Sequence, residues 1–162
     1  MATIHEMPTS IKRYLDEHGT RYEVVPHPRD YSAQYTAADT HTPGKKFAKC
    51  VLVWVDNYYA MVVIPADHRV DFERFRKVMG AQDAGLVREE EMNRLFPDCE
   101  IGAEPPFGNL YELPVFMAKP IAEDDMITFN AGTHDEAIRM SVDDFERLTD
   151  PSVIDCSVKV SI

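Results

Sequence analysis

Between residues 47 and 64 the chain reads FAKCVLVWV, then Asp56-Asn57, then YYAMVVI. β-branched and aromatic residues dominate both runs, and a two-residue polar break between such runs signals a β-hairpin. Their apolar density leaves little room for a solvated face, so the pair is expected at the centre of a sheet, mostly buried. A hairpin of this kind needs covering elements, and the flanking segments have patterns suited to the task.

TSIKRYLDEHG (9–19) reads as an amphipathic helix, with Thr9 or Ser10 as cap, Ile11, Tyr14 and Leu15 on one face, and Gly19 as its stop. Residues 21–25 suit a short strand, and 32–41 a short helix. After the hairpin, Phe72, Phe75, Val78 and Met79 have helical spacing and Gly80 closes the run. REEEMNRLFP (88–97) places three acids in a first helical turn, where the helix dipole favours them. Strands are predicted over 113–118, 126–130 and 136–140, and Ser141 three residues before Asp144 opens a last helix over 141–148. Residues 149–162 read as a C-terminal tail with at most one strand. The sum is an α/β (α+β) domain, with a mixed central β-sheet of about six strands flanked by helices.

At 162 residues the chain suits a single domain over 1–162, and 44% hydrophobic with 28% charged residues fits an ordinary globular protein. The N-terminus has no basic segment followed by an apolar run, and CVLVWV is far too short to span a bilayer. A cytoplasmic protein with no membrane partner is expected. Three widely spaced cysteines suggest neither a disulfide framework nor a zinc cage. The net charge of −11 argues against broad nucleic-acid binding, and DNA is not expected as a partner. Its distribution is uneven: residues 1–50 carry seven Lys/Arg against six Asp/Glu, with GKKFAK the densest point, so a local anion site is compatible with the acidic whole.

There is no GxxxxGK[ST], GxGxxG or GxSxG motif, and the six histidines form no metal-binding spacing, so neither cofactor nor metal is expected. Three features stand out. Lys49 lies inside the first hairpin strand, where period two puts it with Phe47, Val51 and Val53; a lysine there must snorkel out, pair, or hold a ligand anion. Its neighbour Cys50 reads as a small buried hydrophobe, with a cysteine nucleophile as the alternative. GAEPPFG (102–108) sets two prolines, which fix φ and lack an N–H, between glycines. It is either a rigid surface turn or a stiffened loop that presents backbone groups to a ligand. NAGTHDEAIRMS (130–141) makes a polar turn of Asn130, Gly132, Thr133 and His134, in which His134 is a structural residue or a base.

Taken in order, AKCVLVWVDNYYAMVVIPAD, GAEPPFG and AGTHDEAIRMSVDDFERL resemble the YbaK/prolyl-tRNA-synthetase-associated domain family, over about residues 9–148. The resemblance implies that family's curved mixed-sheet fold and its activity: trans-editing hydrolysis of the ester between a mischarged amino acid and the 3′-terminal adenosine of tRNA. It implies partners too, the aminoacyl-tRNA acceptor end and a synthetase that delivers it.

Lys49 stands where the family has its essential lysine, although Cys50 follows where Thr or Ser is usual. Gly108 matches the loop glycine whose backbone helps bind the substrate carbonyl, and His134 matches a histidine of the synthetase-inserted relatives. Lys49, Gly108 and His134 are thereby candidate catalytic residues; Pro106, Phe107, Gly132, Thr133 and Lys46 are candidate substrate contacts. Val53, Met61 or Val63 would line the pocket, according to which hairpin face points inward. A non-catalytic module of the same fold, binding tRNA or a synthetase, is the alternative.

Overall fold

The computed structural model describes residues 9–29, 36–38, 40, 42–44 and 46–160. The expected hairpin is its centre: β2 (Phe47–Val55) and β3 (Tyr58–Pro65) pair antiparallel from Ala48–Pro65 to Val55–Tyr58. Asp56 makes the reversal with φ 50°, and its carboxylate accepts the N–H groups of Gln82 and Asp83 at 3.1 and 3.0 Å. The other strands are β1 (Tyr22–Pro26), β4 (His68–Val70), β5 (Ala84–Leu86), β6 (Val115–Ala118), β7 (Met126–Asn130), β8 (Glu136–Ser141), β9 (Ser152–Ile154) and β10 (Ser157–Lys159). The helices are α1 (Thr9–Glu17), α2 (Phe72–Met79), α3 (Glu89–Leu95), α4 (Lys119–Ala122) and α5 (Val142–Thr149). A 3₁₀ turn spans Gly108–Tyr111. Of the helix expected over 32–41, residues 36–38 are helical; 32–35, 39 and 41 lie outside the described residues.

The main sheet is mixed and eight-stranded, in the order β1-β8-β7-β2-β3-β6-β9, with β5 also on β2. Its joints β2/β7, β3/β6 and β6/β9 are parallel, while the hairpin-type neighbours are antiparallel. It exceeds the expected six strands because β5 and β9 are three-residue strands with no hydrophobic run of their own. The tail also differs from expectation. β9 extends the sheet beside β6, β10 pairs with β4, and Cys156 is fully buried.

The hairpin is covered on both faces. Leu52, Met61 and Val63 join Ile11 and Leu15 of α1 and the rings of Phe107, Phe129 and Phe145 in the larger core. Val53, Val55, Val62 and Ile64 pack against Phe75 of α2 and Phe116 in the second. Each fully buried side chain of this size contributes about 1.5–3 kcal/mol. Val53, Met61 and Val63 are 0% exposed and face these cores, so none of the three lines a pocket. Phe47, Ala66, Ala137 and Ala37 form a small third cluster.

Candidate functional site

The loop expected to be either a surface turn or a presented backbone is buried: from Ala103 to Gly108 every residue lies inside the fold. The Phe107 N–H closes a three-residue turn on the Pro105 carbonyl at 2.8 Å, with Pro106 at its middle, where a fixed φ near −65° suits the turn. Phe107 anchors it. Its ring is 0% exposed, with centroids 5.6 Å from Phe129, 5.3 Å from Phe145 and 6.0 Å from Tyr14. The Phe107 side chain therefore packs in the core and fixes the position of its backbone.

Gly108 follows at the start of the 3₁₀ turn. A Cβ there would lie 2.9 Å from Val115 Cγ2 and 3.0 Å from the Leu113 carbonyl oxygen, and backbone cannot yield as a flexible side chain can. Gly108→Ala is expected to cost about 1–3 kcal/mol, since the loop must shift to admit the methyl. A thermal melt would show it as a lower Tm, by about 2–4 °C per kcal/mol.

The other end of the loop is clamped to the 130–135 turn. Gly132 N–H donates to the Ala103 carbonyl at 2.7 Å, and Glu100 N–H donates to the Gly132 carbonyl at 2.8 Å. His134 lies 4% exposed, with Nε2 2.7 Å from the Ile101 carbonyl; a carbonyl only accepts, so Nε2 carries the proton. The ring stacks under Gly102, whose φ of 88° and missing Cβ leave room for His134 Cε1 3.4 Å from where that Cβ would be. His134 N–H donates to Glu100 Oε1 at 2.8 Å, and Arg29 grips Oε2 of the same carboxylate. Burial pushes the Glu100 carboxyl up, but Arg29 and the His134 N–H outweigh it and hold the group below its usual range. Glu104 has the opposite balance. Burial raises its carboxyl although both oxygens accept the Gly102 N–H, at 3.2 and 3.0 Å.

Lys49 enters from the sheet. β7 and β2 pair at Phe47–Thr128 and Ala48–Phe129, and there the ladder ends. Lys49 and Asn130 are the next residues, flanking the place where the strands part, and alternation puts both on the face of Phe47, Thr128 and Ala137. Burial pulls the half-buried Lys49 ammonium below its usual range, and Asp67 opposes that pull. Asn130 Oδ1, and Thr133 Oγ1 in the turn that follows β7, are buried polar atoms with no hydrogen-bond partner among the described residues. The apolar side of this face is Phe47, Ala66, Ala137 and Ala37.

Cys50 points to the opposite face, toward the larger core. Burial pushes its thiol well up, with Glu104 and Cys99 adding to the effect, which is the reverse of what a thiolate nucleophile requires. Among the described residues no group of three His, Cys, Asp or Glu side chains could hold a metal ion. No helix among them is long and apolar enough to cross a membrane.

Thus Gly132, Thr133 and His134 are joined to the Gly102 end of the loop, Pro106, Phe107 and Gly108 lie at its core end, and Lys49 stands beside the first residue of the turn. Lys46 is exposed in a neighbouring cavity with Arg139. Sequence reasoning did not single out Glu100 or Asp67, and it read Asn130 only as part of the polar turn. Glu100 meets His134 across 34 positions, a separation with no local signal. Asp67 could have been found as a carboxylate where β3 brings the chain back toward Lys49.

The profile of the aminoacyl-tRNA editing domain family matches residues 27–148, which contain all of these groups. The chain belongs to that family. Its resemblance to the YbaK/prolyl-tRNA-synthetase-associated proteins is thereby borne out. Among curated editing-domain relatives, the Escherichia coli K12 protein named multifunctional Ser/Thr-tRNA deacylase ProXp-y is 25% identical over 146 residues, covering 86% of each chain. A crystal structure described as a candidate trans-editing enzyme for prolyl tRNA synthetase superposes with a TM-score of 0.82 at 18% identity, over 99% of both chains. A scaffold protein used for computational epitope grafting has the same fold, with a TM-score of 0.82 at 17% identity over 95% of this chain and 97% of that one. The editing-domain fold accounts for the curved mixed sheet, and the family match ends at residue 148, in the last turn of α5, leaving β9 and β10 outside it.

Proposed function

We propose that this editing-domain protein is a trans-acting aminoacyl-tRNA deacylase: it takes the acceptor end of a misacylated tRNA and hydrolyses the ester at the 3′-terminal adenosine. The observation that carries this reading is Lys49, a half-buried cation where β2 and β7 part, with Asn130, whose buried Oδ1 has no partner among the described residues, at the matching position of β7. An aminoacyl ester is already activated, so an oriented water and stabilisation of the developing oxyanion are enough. Water adds to the carbonyl carbon, the acyl–oxygen bond breaks, and the ribose oxygen leaves with a proton.

Lys49 neutralises the oxyanion or the terminal phosphate, as a compact point charge can. The Gly108 N–H serves as a preorganised donor, its direction set by Pro106 and by the buried Phe107 ring. Gly132 and Thr133 supply polar contacts to the amino acid or ribose, and His134 orients the loop through Ile101. Selectivity for a small amino acid rests on packing, since rejection of one methylene by packing alone is worth about 1–3 kcal/mol. The E. coli relative's name, a Ser/Thr-tRNA deacylase, is consistent with a small substrate.

Purified protein incubated with tRNAs charged with Ala, Cys, Ser and Thr is expected to release at least one of these amino acids. No release from any of them, with tRNA still bound, would make the protein a non-catalytic binding module. The charge on Lys49 gives a pH test. Asp67 supports the ammonium, so Asp67→Asn is expected to lower the Lys49 pKa further and move the alkaline limb of the pH–rate profile to lower pH. An unmoved alkaline limb, after subtraction of spontaneous hydrolysis, would remove Lys49 from the charge-bearing role.

A further inference from the structure

Beside this site, on the same face of the sheet, lies a cavity of about 530 Å³ whose charged lining residues are Arg139 and Lys46. Among the described residues no carboxylate lines it, in a chain of net charge −11. Arg139 is held from three sides: Nε donates to Thr128 Oγ1 at 3.2 Å, and Nη2 donates to Thr42 Oγ1 at 2.9 Å and to the Thr40 carbonyl at 3.2 Å. Nη1 donates to Glu23 Oε1 at 3.5 Å in an ion pair that lies outside the cavity lining, with the Glu23 side chain 65% exposed. A guanidinium with a fixed plane, an exposed lysine and threonine side chains line one cavity, and these are the group types that recognise a cluster of phosphate oxygens.

Its place in the fold says which phosphate. Thr128 and Arg139 are register partners, and Asn130 follows Thr128 by two residues on the same face, about 6.6 Å along the strand. The cavity is therefore roughly one nucleotide away from Lys49 and Asn130. We propose that Arg139, Lys46, Thr42 and Thr128 form a subsite for a backbone phosphate of the single-stranded 3′ end of the RNA, one step from the aminoacylated terminus. The proposal rests on the deacylase reading and adds to it the means by which an acidic protein holds tRNA: one neutralised phosphate close to the ester in place of a broad basic surface. The same chemistry would hold a free phosphate ion, and the test separates the two.

The probes are aminoacyl-tRNA, aminoacyl-adenosine without phosphates, a short single-stranded RNA ending in a 3′-hydroxyl, and inorganic phosphate. The variants are Lys46→Ala, Lys46→Arg and Arg139→Lys. Lys46 is exposed, so its replacement leaves the fold in place. Lys46→Ala is expected to raise the ratio of KM for aminoacyl-tRNA over aminoacyl-adenosine about tenfold, and Lys46→Arg to restore it. The slope of log binding constant against log salt for the RNA should become shallower by about 0.7 per lost phosphate contact. Arg139→Lys, which keeps the charge and loses the fork, should weaken RNA binding in the same assay.

An unchanged KM ratio with an unchanged salt slope would overturn the subsite. So would inorganic phosphate binding that Lys46→Ala abolishes while RNA binding is unaffected, since that makes the cavity a free-anion site. If the wild-type protein hydrolyses neither ester, the deacylase reading fails. RNA binding by the variants then still decides the subsite by itself.

Discussion

Replacing Lys49 by alanine is expected to lower kcat/KM for deacylation about 10²–10³-fold, the usual cost of losing one transition-state charge contact. The fold should survive the change. Lys49 is half buried and its ammonium is disfavoured by burial, so removing it relieves a desolvation cost, and Tm should hold or rise slightly. Cys50→Ser, one residue along on the opposite face, is expected to retain activity, because a thiol raised by burial supplies no thiolate. The pair of variants separates the lysine mechanism from cysteine catalysis. An inactive Cys50→Ser beside an active Lys49→Ala, with both proteins folded, would reverse the assignment.

Phe107→Ala is expected to have the largest effect on stability, about 3–5 kcal/mol. The ring fills the meeting point of Phe129, Phe145 and Tyr14, three elements that share no sequence neighbourhood. Chemical denaturation should show the loss as a lower midpoint with an unchanged slope if only the packing is affected. Activity should fall as well, below the level that the unfolded fraction explains, because the ring positions the Gly108 N–H. Phe107→Leu, which keeps most of the volume, should recover much of both. A loss below about 1 kcal/mol in Phe107→Ala would mean that the loop is held by something other than its aromatic anchor.

Much of the fold was legible because its signals are local. The hairpin is written in β-branched and aromatic runs on either side of Asp56-Asn57, and the observed pairing from Ala48 to Val55 follows that pattern. α5 begins where Ser141 caps the Asp144 N–H at 3.1 Å, as its spacing implied. β5 and β9 gave no such signal: Ala84–Leu86 and Ser152–Ile154 are three residues each and become strands because a neighbouring edge offers hydrogen bonds. The loop 102–108 was ambiguous for a related reason. Its prolines and glycines specify stiffness and turning, and whether a stiff turn lies outside or inside depends on what packs over it.

By itself the sequence determined the alternation that puts Lys49 on one face and Cys50 on the other, the central hairpin, the Gly80 and Ser141 helix caps (Thr9 and Ser10, expected as caps, lie inside the first helix), and the order of motifs that marks the editing domain. These follow from the geometry of a few adjacent residues, and a strand's period of two needs no partner to operate. The tertiary structure alone decided that β7 runs parallel beside β2 and ends its ladder at Ala48, so that Asn130 and Lys49 flank the point where the strands part. It alone brought Glu100 to His134 and Arg139 to Thr42. Those contacts join residues 34 and 97 positions apart, and such pairs form only when burial of the hydrophobic cores offsets the entropy of closing the chain between them.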